Sequence, residues 1–220
     1  MKVRLPVRLL TICLVLAACA SAAAQRPEGA VRQEIAQATR EAPQLKEALS
    51  LEPGMAVADI GAGGGAMSVA MAKVLGLSGH VFATDIGKEQ LAEIREYVMR
   101  EGLSNIDVVE GAANATNLPR GCCDAVFMRD VYHHLTNADE MNKSVFAALK
   151  PGGRLAVIDF EPDPGSPLPK GVPENRGGHG IRPSLLIAEI TASGLRHVKT
   201  IARWPPDGRN PIYLVLFQKP

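Results

Sequence analysis

The 220-residue chain has no block of like charge. Its formal charge is +1, and Lys2, Arg4 and Arg8 all fall at the very start; setting these aside leaves 21 basic against 23 acidic residues. A slightly acidic body without a Lys/Arg cluster carries no electrostatic footprint for DNA or RNA, so no nucleic-acid partner is expected. Cysteine is scarce as well. Cys13 and Cys19 lie near the start, which leaves only the adjacent Cys122 and Cys123 in the body. Neighbouring cysteines rarely bond each other, because the peptide between them must distort, so this pair reads as two small, half-buried residues. No apolar run approaches the roughly 20 residues of a membrane-spanning helix, and no internal repeat or low-complexity tract interrupts the chain.

The longest apolar run, Leu9 to Ala18, follows the basic residues and has the length of a secretory h-region. Residues 1–24 therefore read as an export signal, with the protein destined for the periplasm or a membrane anchor. Two cleavage readings remain open. Leu16-Ala17-Ala18-Cys19 resembles a bacterial lipobox, with Cys19 as a lipidated first residue, whereas Ala22-Ala23-Ala24 offers an ordinary signal-peptidase site. A mis-started cytoplasmic enzyme is the alternative.

Beyond residue 24 the pattern is one of alternation. Residues 25–50 form an N-terminal helical segment, interrupted at Pro43 by expectation. Residues 51–220 then alternate short apolar runs with helical ones. Strands are expected at 55–60, 81–85, 106–109, 125–128 and 155–158, and helices at 66–75, 89–100 and 138–149. Such alternation implies an α/β fold, a doubly wound, mostly parallel sheet covered on both faces. After the fifth strand, prolines at 162, 164, 167, 169, 173 and 183 alternate with glycines at 165, 171, 177, 178 and 180. A long loop of this kind at the carboxyl edge of a sheet reads as a lid. A helix over 183–193 and an antiparallel hairpin, 195–203 with 212–219, complete seven strands.

Chemistry begins at Asp59-Ile60-Gly61-Ala62-Gly63-Gly64-Gly65, between the first strand and its helix. Glycines there allow a ligand to approach backbone and helix N-terminus. Asp85 ends the second strand, where a carboxylate accepts both hydroxyls of a ribose. These two features suit a nicotinamide dinucleotide as well as an adenosyl cofactor. Asp59 leans toward the second, since a carboxylate at the strand tip suits an ammonium and repels a pyrophosphate.

Two later segments carry a family resemblance. Asn114-Ala115-Thr116-Asn117-Leu118-Pro119 resembles the Asp-Ala-x-x-Leu-Pro segment of class I S-adenosylmethionine-dependent methyltransferases, and Leu149-Lys150-Pro151-Gly152-Gly153 resembles their Leu-x-Pro-Gly-Gly turn. The resemblance covers about residues 50–220. It implies S-adenosyl-L-methionine as cofactor, with Asp59, Gly61 and Gly63 at its methionine end, Asp85 at the ribose, Ile86 on the adenine, and Asn114 and Ala115 along the adenine edge. The family usually has Asp where this chain has Asn114; asparagine keeps a carbonyl acceptor.

Arg129-Asp130-Val131-Tyr132-His133-His134-Leu135 follows the fourth strand and resembles the His-His-Leu pattern of small-molecule methyltransferases. That resemblance implies catalytic candidates His134, Tyr132 and Asp159, with a single histidine of the pair expected inside the site. Asp130, His134, Asp159 and His179 match no metal-ligand spacing, so contacts to substrate or to neighbouring side chains are expected of them and no metal. The expected function is methyl transfer to a small-molecule nucleophile; a nicotinamide-dependent reductase and an inactive envelope binding protein are the alternatives.

Overall fold

The computed structural model describes residues 26–206 and 211–220. The export signal, both cleavage readings and Cys19 lie outside the described residues. Among the described residues no helix is long and apolar enough to cross a membrane.

Helix α1 (Glu28–Ala48) leads into β1 (Ala56–Ile60), α2 (Ala66–Leu75), β2 (His80–Asp85), α3 (Lys88–Arg100), β3 (Ile106–Glu110) and β4 (Cys123–Arg129). A single 3-10 turn (Tyr132–His134) precedes α4 (Ala138–Ala148), β5 (Leu149–Phe160), α5 (Pro183–Thr191), β6 (Arg196–Ile201) and β7 (Ile212–Gln218). The seven strands form one sheet in the order β3-β2-β1-β4-β5-β7-β6, with β7 antiparallel to both neighbours. This is the doubly wound sheet with a terminal hairpin that the sequence implies. The chain reverses its direction of winding between β1 and β4, where open α/β sheets bind their ligands.

Central strands are apolar throughout because helices cover both of their sides. On one face Val57, Ala125, Phe127, Ala156 and Ile158 meet α1, α2 and α3. On the other, Ala58, Val126, Met128, Leu155 and Val157 meet α4 and α5. The edge strand β6 is different: Arg196, His197, Lys199 and Thr200 leave it exposed and polar, which discourages pairing with another chain.

Three local expectations require correction. Pro43 does not interrupt α1, which runs through it. An interior proline costs a helix roughly 3 kcal/mol, but Pro43 faces solvent while Ala38, Ala42 and Leu45 are buried in the core beside it. Packing overrides the local preference. Second, β5 begins at Leu149 rather than after the glycines. Leu149 pairs with Cys123 and Arg154 with Ala125, so Lys150–Gly153 is an outward excursion within a strand. Its backbone is held by Lys219, which exchanges hydrogen bonds with Gly152 and Gly153. Third, Cys122 and Cys123 are joined in a disulfide. Cys123 belongs to an apolar cluster and Cys122 packs against it, so both are shielded as expected.

Candidate cofactor and acceptor site

Two adjoining cavities of about 290 Å³ each open at the carboxyl ends of β1, β2 and β4 and share Gly61. The glycine segment is tied to the neighbouring strand, since the carbonyl of Thr84 accepts hydrogen bonds from Gly61 (2.8 Å) and Ala62 (2.9 Å). Gly61 has φ +74°, and a Cβ there would meet Val131 at 2.5 Å. Only glycine satisfies both constraints. Asp130 also adopts a left-handed conformation (φ 55°), which ends β4 and turns the chain so that Val131 covers Gly61.

The first cavity is lined by Glu34, Gln37, Asp59, Gly63, Arg129 and Asp130, among others. Asp59 is 2% exposed, and its Oδ2 accepts a 2.6 Å hydrogen bond from the Ser68 hydroxyl. Burial, reinforced by Asp85 and opposed by Ser68 and Arg129, pushes its carboxyl up to about 7. Arg129 is the cation of this wall. Its Nε donates to the buried Glu41 at 3.0 Å, and Glu41 also accepts from Trp204 Nε1 at 2.8 Å. Helix α1 thereby roofs the cavity, a part of the site for which the sequence carried no motif.

The second cavity is lined by Thr84, Asp85, Ile86, Ala112, Ala113, Ala115, Val131, His134, Met141 and Lys170, among others. Asp85 Oδ2 accepts from the Gly63 amide and Oδ1 from the Gly87 amide, both at 2.9 Å. The carboxylate is thus fixed at the mouth between the two cavities. Ile86 forms part of the apolar wall of this cavity and is 63% exposed. Ala115 is on this wall, but Asn114 is not. Ala112 and Ala115 pair in a tight turn with Asn114 at its tip, and the Asn114 amide donates to Glu140 at the surface. Of the two residues expected along the adenine edge, Ala115 thus lines the second cavity and Asn114 points to the surface beside it.

The catalytic candidates separate in the same way. Within the 3-10 turn Tyr132 and His133 are buried and His134 is exposed, while the two imidazole rings stay close, with centroids 4.1 Å apart. His134 faces the second cavity. Burial, followed by the neighbouring His133 and His179, lowers its pKa below the usual histidine value, so the imidazole is neutral near pH 7. Tyr132 is fully buried and lines neither cavity; its hydroxyl donates to Glu189 at 3.1 Å and accepts from Asn142 at 2.8 Å. Burial raises its pKa and holds the phenol protonated. Asp159 is equally buried behind His133, whose Nδ1 lies 2.8 Å from Asp159 Oδ1.

The long loop is bound to the body rather than free. Arg176 is buried in it beside Glu189, at 3.0 Å, and Tyr213 donates its hydroxyl to the Ile181 carbonyl at 2.6 Å. It delivers Lys170 to the second cavity and His179 to His133.

Sheet order and cavity together define the class I methyltransferase fold. Residues 57–153 match the family described as "Methyltransferase domain". A ubiquinone/menaquinone biosynthesis C-methyltransferase of Vibrio vulnificus is 31% identical over 119 residues, 54% of this chain and 46% of that protein. The chain thus matches about half the length of such curated relatives. Among solved structures, a SAM-dependent methyltransferase from Aquifex aeolicus superposes with a TM-score of 0.69 at 22% identity, covering 88% of this chain and 99% of that one. The [4+2]-cyclase SpnF gives 0.67 at 16% identity, covering 83% and 81%. At such identities the likeness is one of fold.

Proposed function

We propose that this chain is an S-adenosylmethionine-dependent methyltransferase acting on a small-molecule nucleophile. The observation that carries the reading is the acidic first cavity. Glu34, Asp59 and Asp130 line it together with Arg129, an arrangement that matches the ammonium and carboxylate of an amino acid and opposes a pyrophosphate. The matched methyltransferase segment and the similar structures support the same cofactor.

When bound, this cofactor supplies an electrophilic methyl group. Asp59 and Arg129 would hold its amino-acid end, Asp85 its ribose hydroxyls, and Ile86 with Ala115 its adenine. The glycine segment lets the ligand approach the backbone. His134, on the wall of the second cavity, would position the acceptor and take its proton where the nucleophile carries one. A neutral imidazole is in the correct state for that step. We further propose that the chain is exported through residues 1–24, with Cys19 or the bond after Ala24 as the processing site.

Titration calorimetry with S-adenosylmethionine and, separately, with nicotinamide dinucleotides tests the assignment. The adenosyl cofactor should bind and the dinucleotides should not. Binding of a dinucleotide alone makes the chain a reductase, and binding of neither makes it an inactive relative of the fold.

A further inference from the structure

Behind the wall of the second cavity three histidines converge from two distant segments. One ring nitrogen from each of His133, His134 and His179 lies within 4.8 Å of the others. His133 Nε2 and His179 Nε2 are 3.1 Å apart. Two imidazole nitrogens on one tetrahedral zinc ion, each at about 2.0–2.1 Å, stand about 3.3 Å apart. The His133–His179 pair thus already has the spacing of two ligands on one ion, with His134 within reach of both.

The surroundings of His133 bear on its role. Its side chain is 2% exposed, and Asp159, which it contacts through Nδ1, is fully buried. Asp159 already accepts from two backbone amides, Phe160 at Oδ1 (2.9 Å) and His133 at Oδ2 (3.2 Å). The carboxylate is therefore an acceptor toward Nδ1 as well. This assigns the proton of His133 to Nδ1 and leaves a lone pair on Nε2, aimed at His179. A carboxylate that fixes the tautomer of a histidine and orients its other nitrogen is the usual support of a metal-bound imidazole.

His179 is held with equal definition. Its carbonyl accepts from the Asp163 amide at 2.9 Å. The glycines on either side, Gly178 (φ +136°) and Gly180 (φ +117°), run so close to the backbone of Asp163 and of Phe160–Glu161 that a Cβ would collide. The flanking sequence Gly-Gly-His-Gly thus constrains the path of the loop beside Phe160–Asp163.

We propose that His133, His134 and His179 bind one first-row divalent transition metal ion, with zinc as the reference ion. Three imidazole ligands suit zinc, copper, nickel or iron and disfavour magnesium and calcium, which require oxygen ligands. The sequence spacing discouraged a metal because it joined Asp130 and Asp159 to His134 and His179. The structure replaces the two carboxylates with His133 and places Asp159 behind it. Three ligands leave a fourth position open, and His134 brings it to the wall of the second cavity. An oxygen held there would lie at the acceptor end of the site. That last role rests on the methyltransferase reading and would replace the proton transfer proposed for His134, because a neutral imidazole bound to the ion has no free lone pair to take a proton; the binding of the ion rests on neither.

The test uses untagged, chelator-stripped full-length protein titrated with Zn²⁺ by calorimetry and with Co²⁺ by visible absorption, in the absence of any adenosyl compound. The expected result is one ion per chain with a micromolar or lower Kd and the intense visible bands of four-coordinate cobalt. His179→Ala, in a loop position that leaves the core intact, should weaken binding at least 100-fold. Asp159→Asn should weaken it about 10- to 100-fold, whereas His80→Ala and His197→Ala should leave it unchanged. A folded His179→Ala variant that binds Zn²⁺ as tightly as the parent overturns the proposal. So does a parent protein that binds no ion, in which case the His133–His179 contact is a plain hydrogen bond. Failure of adenosylmethionine to bind affects neither readout and so refutes only the functional reading.

Discussion

Replacing Asp59 by asparagine should stabilise the free protein while weakening its hold on the cofactor, and the two effects should share a pH dependence. Asp59 is buried at the tip of β1 and pushed up to about 7 from an ordinary 3.8, first by burial. The folded chain consequently holds a proton between about pH 4 and 7 that the unfolded chain has lost. Stability therefore falls as pH rises through that window, and the full penalty is present above about pH 7. At 1.36 kcal/mol per pH unit, the ionised carboxylate costs the free fold up to about 4 kcal/mol. Asparagine carries no charge and retains an oxygen for Ser68, so it removes most of this cost. In a chain of this size each kcal/mol moves Tm by about 2–4 °C. The variant should then melt well above the parent at pH 8 and close to it at pH 5. Other titrating groups cancel in that difference, because both proteins carry them. Binding should move the opposite way. An ammonium beside Asp59 favours the ionised form, so the parent should release a proton on binding and lose affinity below about pH 7; the variant should bind at least about tenfold more weakly at pH 8 and show no such release. Thermal melts at both pH values and calorimetry in buffers of different ionisation heat measure these quantities. A Tm difference that is the same at pH 5 and pH 8 would refute the reasoning.

Asp85→Ala should weaken adenosyl-cofactor binding by at least about tenfold without unfolding the domain, because charge-assisted hydrogen bonds to ribose contribute about 1.5–3 kcal/mol each; calorimetry on a folded variant with unchanged affinity would remove Asp85 from the site. His134→Ala should lower methyl transfer by about 10²-fold and leave cofactor affinity unaltered, measured with labelled methyl donor once an acceptor is found; full activity would dismiss His134 as the base. Cys19→Ala should shift the protein from the membrane to the soluble envelope fraction if Cys19 is lipidated, and intact mass of the mature protein reads the cleavage site. Met1 retained in a cytosolic fraction would end the export reading.

Much of the fold was legible because parallel strands are written as apolar runs between glycine-rich turns. Ala66–Leu75 was bounded correctly from composition and its flanking glycines, and β2 and α3 to within one residue. The hidden parts have physical causes. Pro43 signals a break only to an isolated helix; the buried side of α1 decides otherwise. β5 continues through a Pro-Gly-Gly excursion because its partner is the C-terminal Lys219, almost seventy positions away. In the site, the glycines, Asp59, Asp85 and Ile86 were legible, since strand ends and turn residues announce themselves. Glu34 and Gln37 were not, because polar residues on a helix read as solvent-facing until another element is placed beneath them. Nor does a run of Tyr-His-His say which member faces the cavity; that depends on the 3-10 turn formed after Asp130.

The same sheet order supports different reactions, as the similarity to a cyclase at nearly the same TM-score as to a methyltransferase makes plain. What distinguishes this chain must therefore lie where its own residues depart from a generic edge of the sheet. One candidate is Asp59, kept buried at a cost that Ser68 and Arg129 offset only in part. The other is the His133–His134–His179 cluster, assembled from the turn after β4 and a loop more than forty residues later, and fixed from behind by Asp159 at the end of β5. Asp59 lines the first cavity and His134 the second, and the two cavities share Gly61. A ligand spanning both would have to pass over Gly61, where backbone sign and space both exclude a side chain. Cofactor retention and acceptor chemistry are thereby separable. Substitutions at Asp59 and Asp85 should alter the first alone, and those at His134 and His179 the second alone.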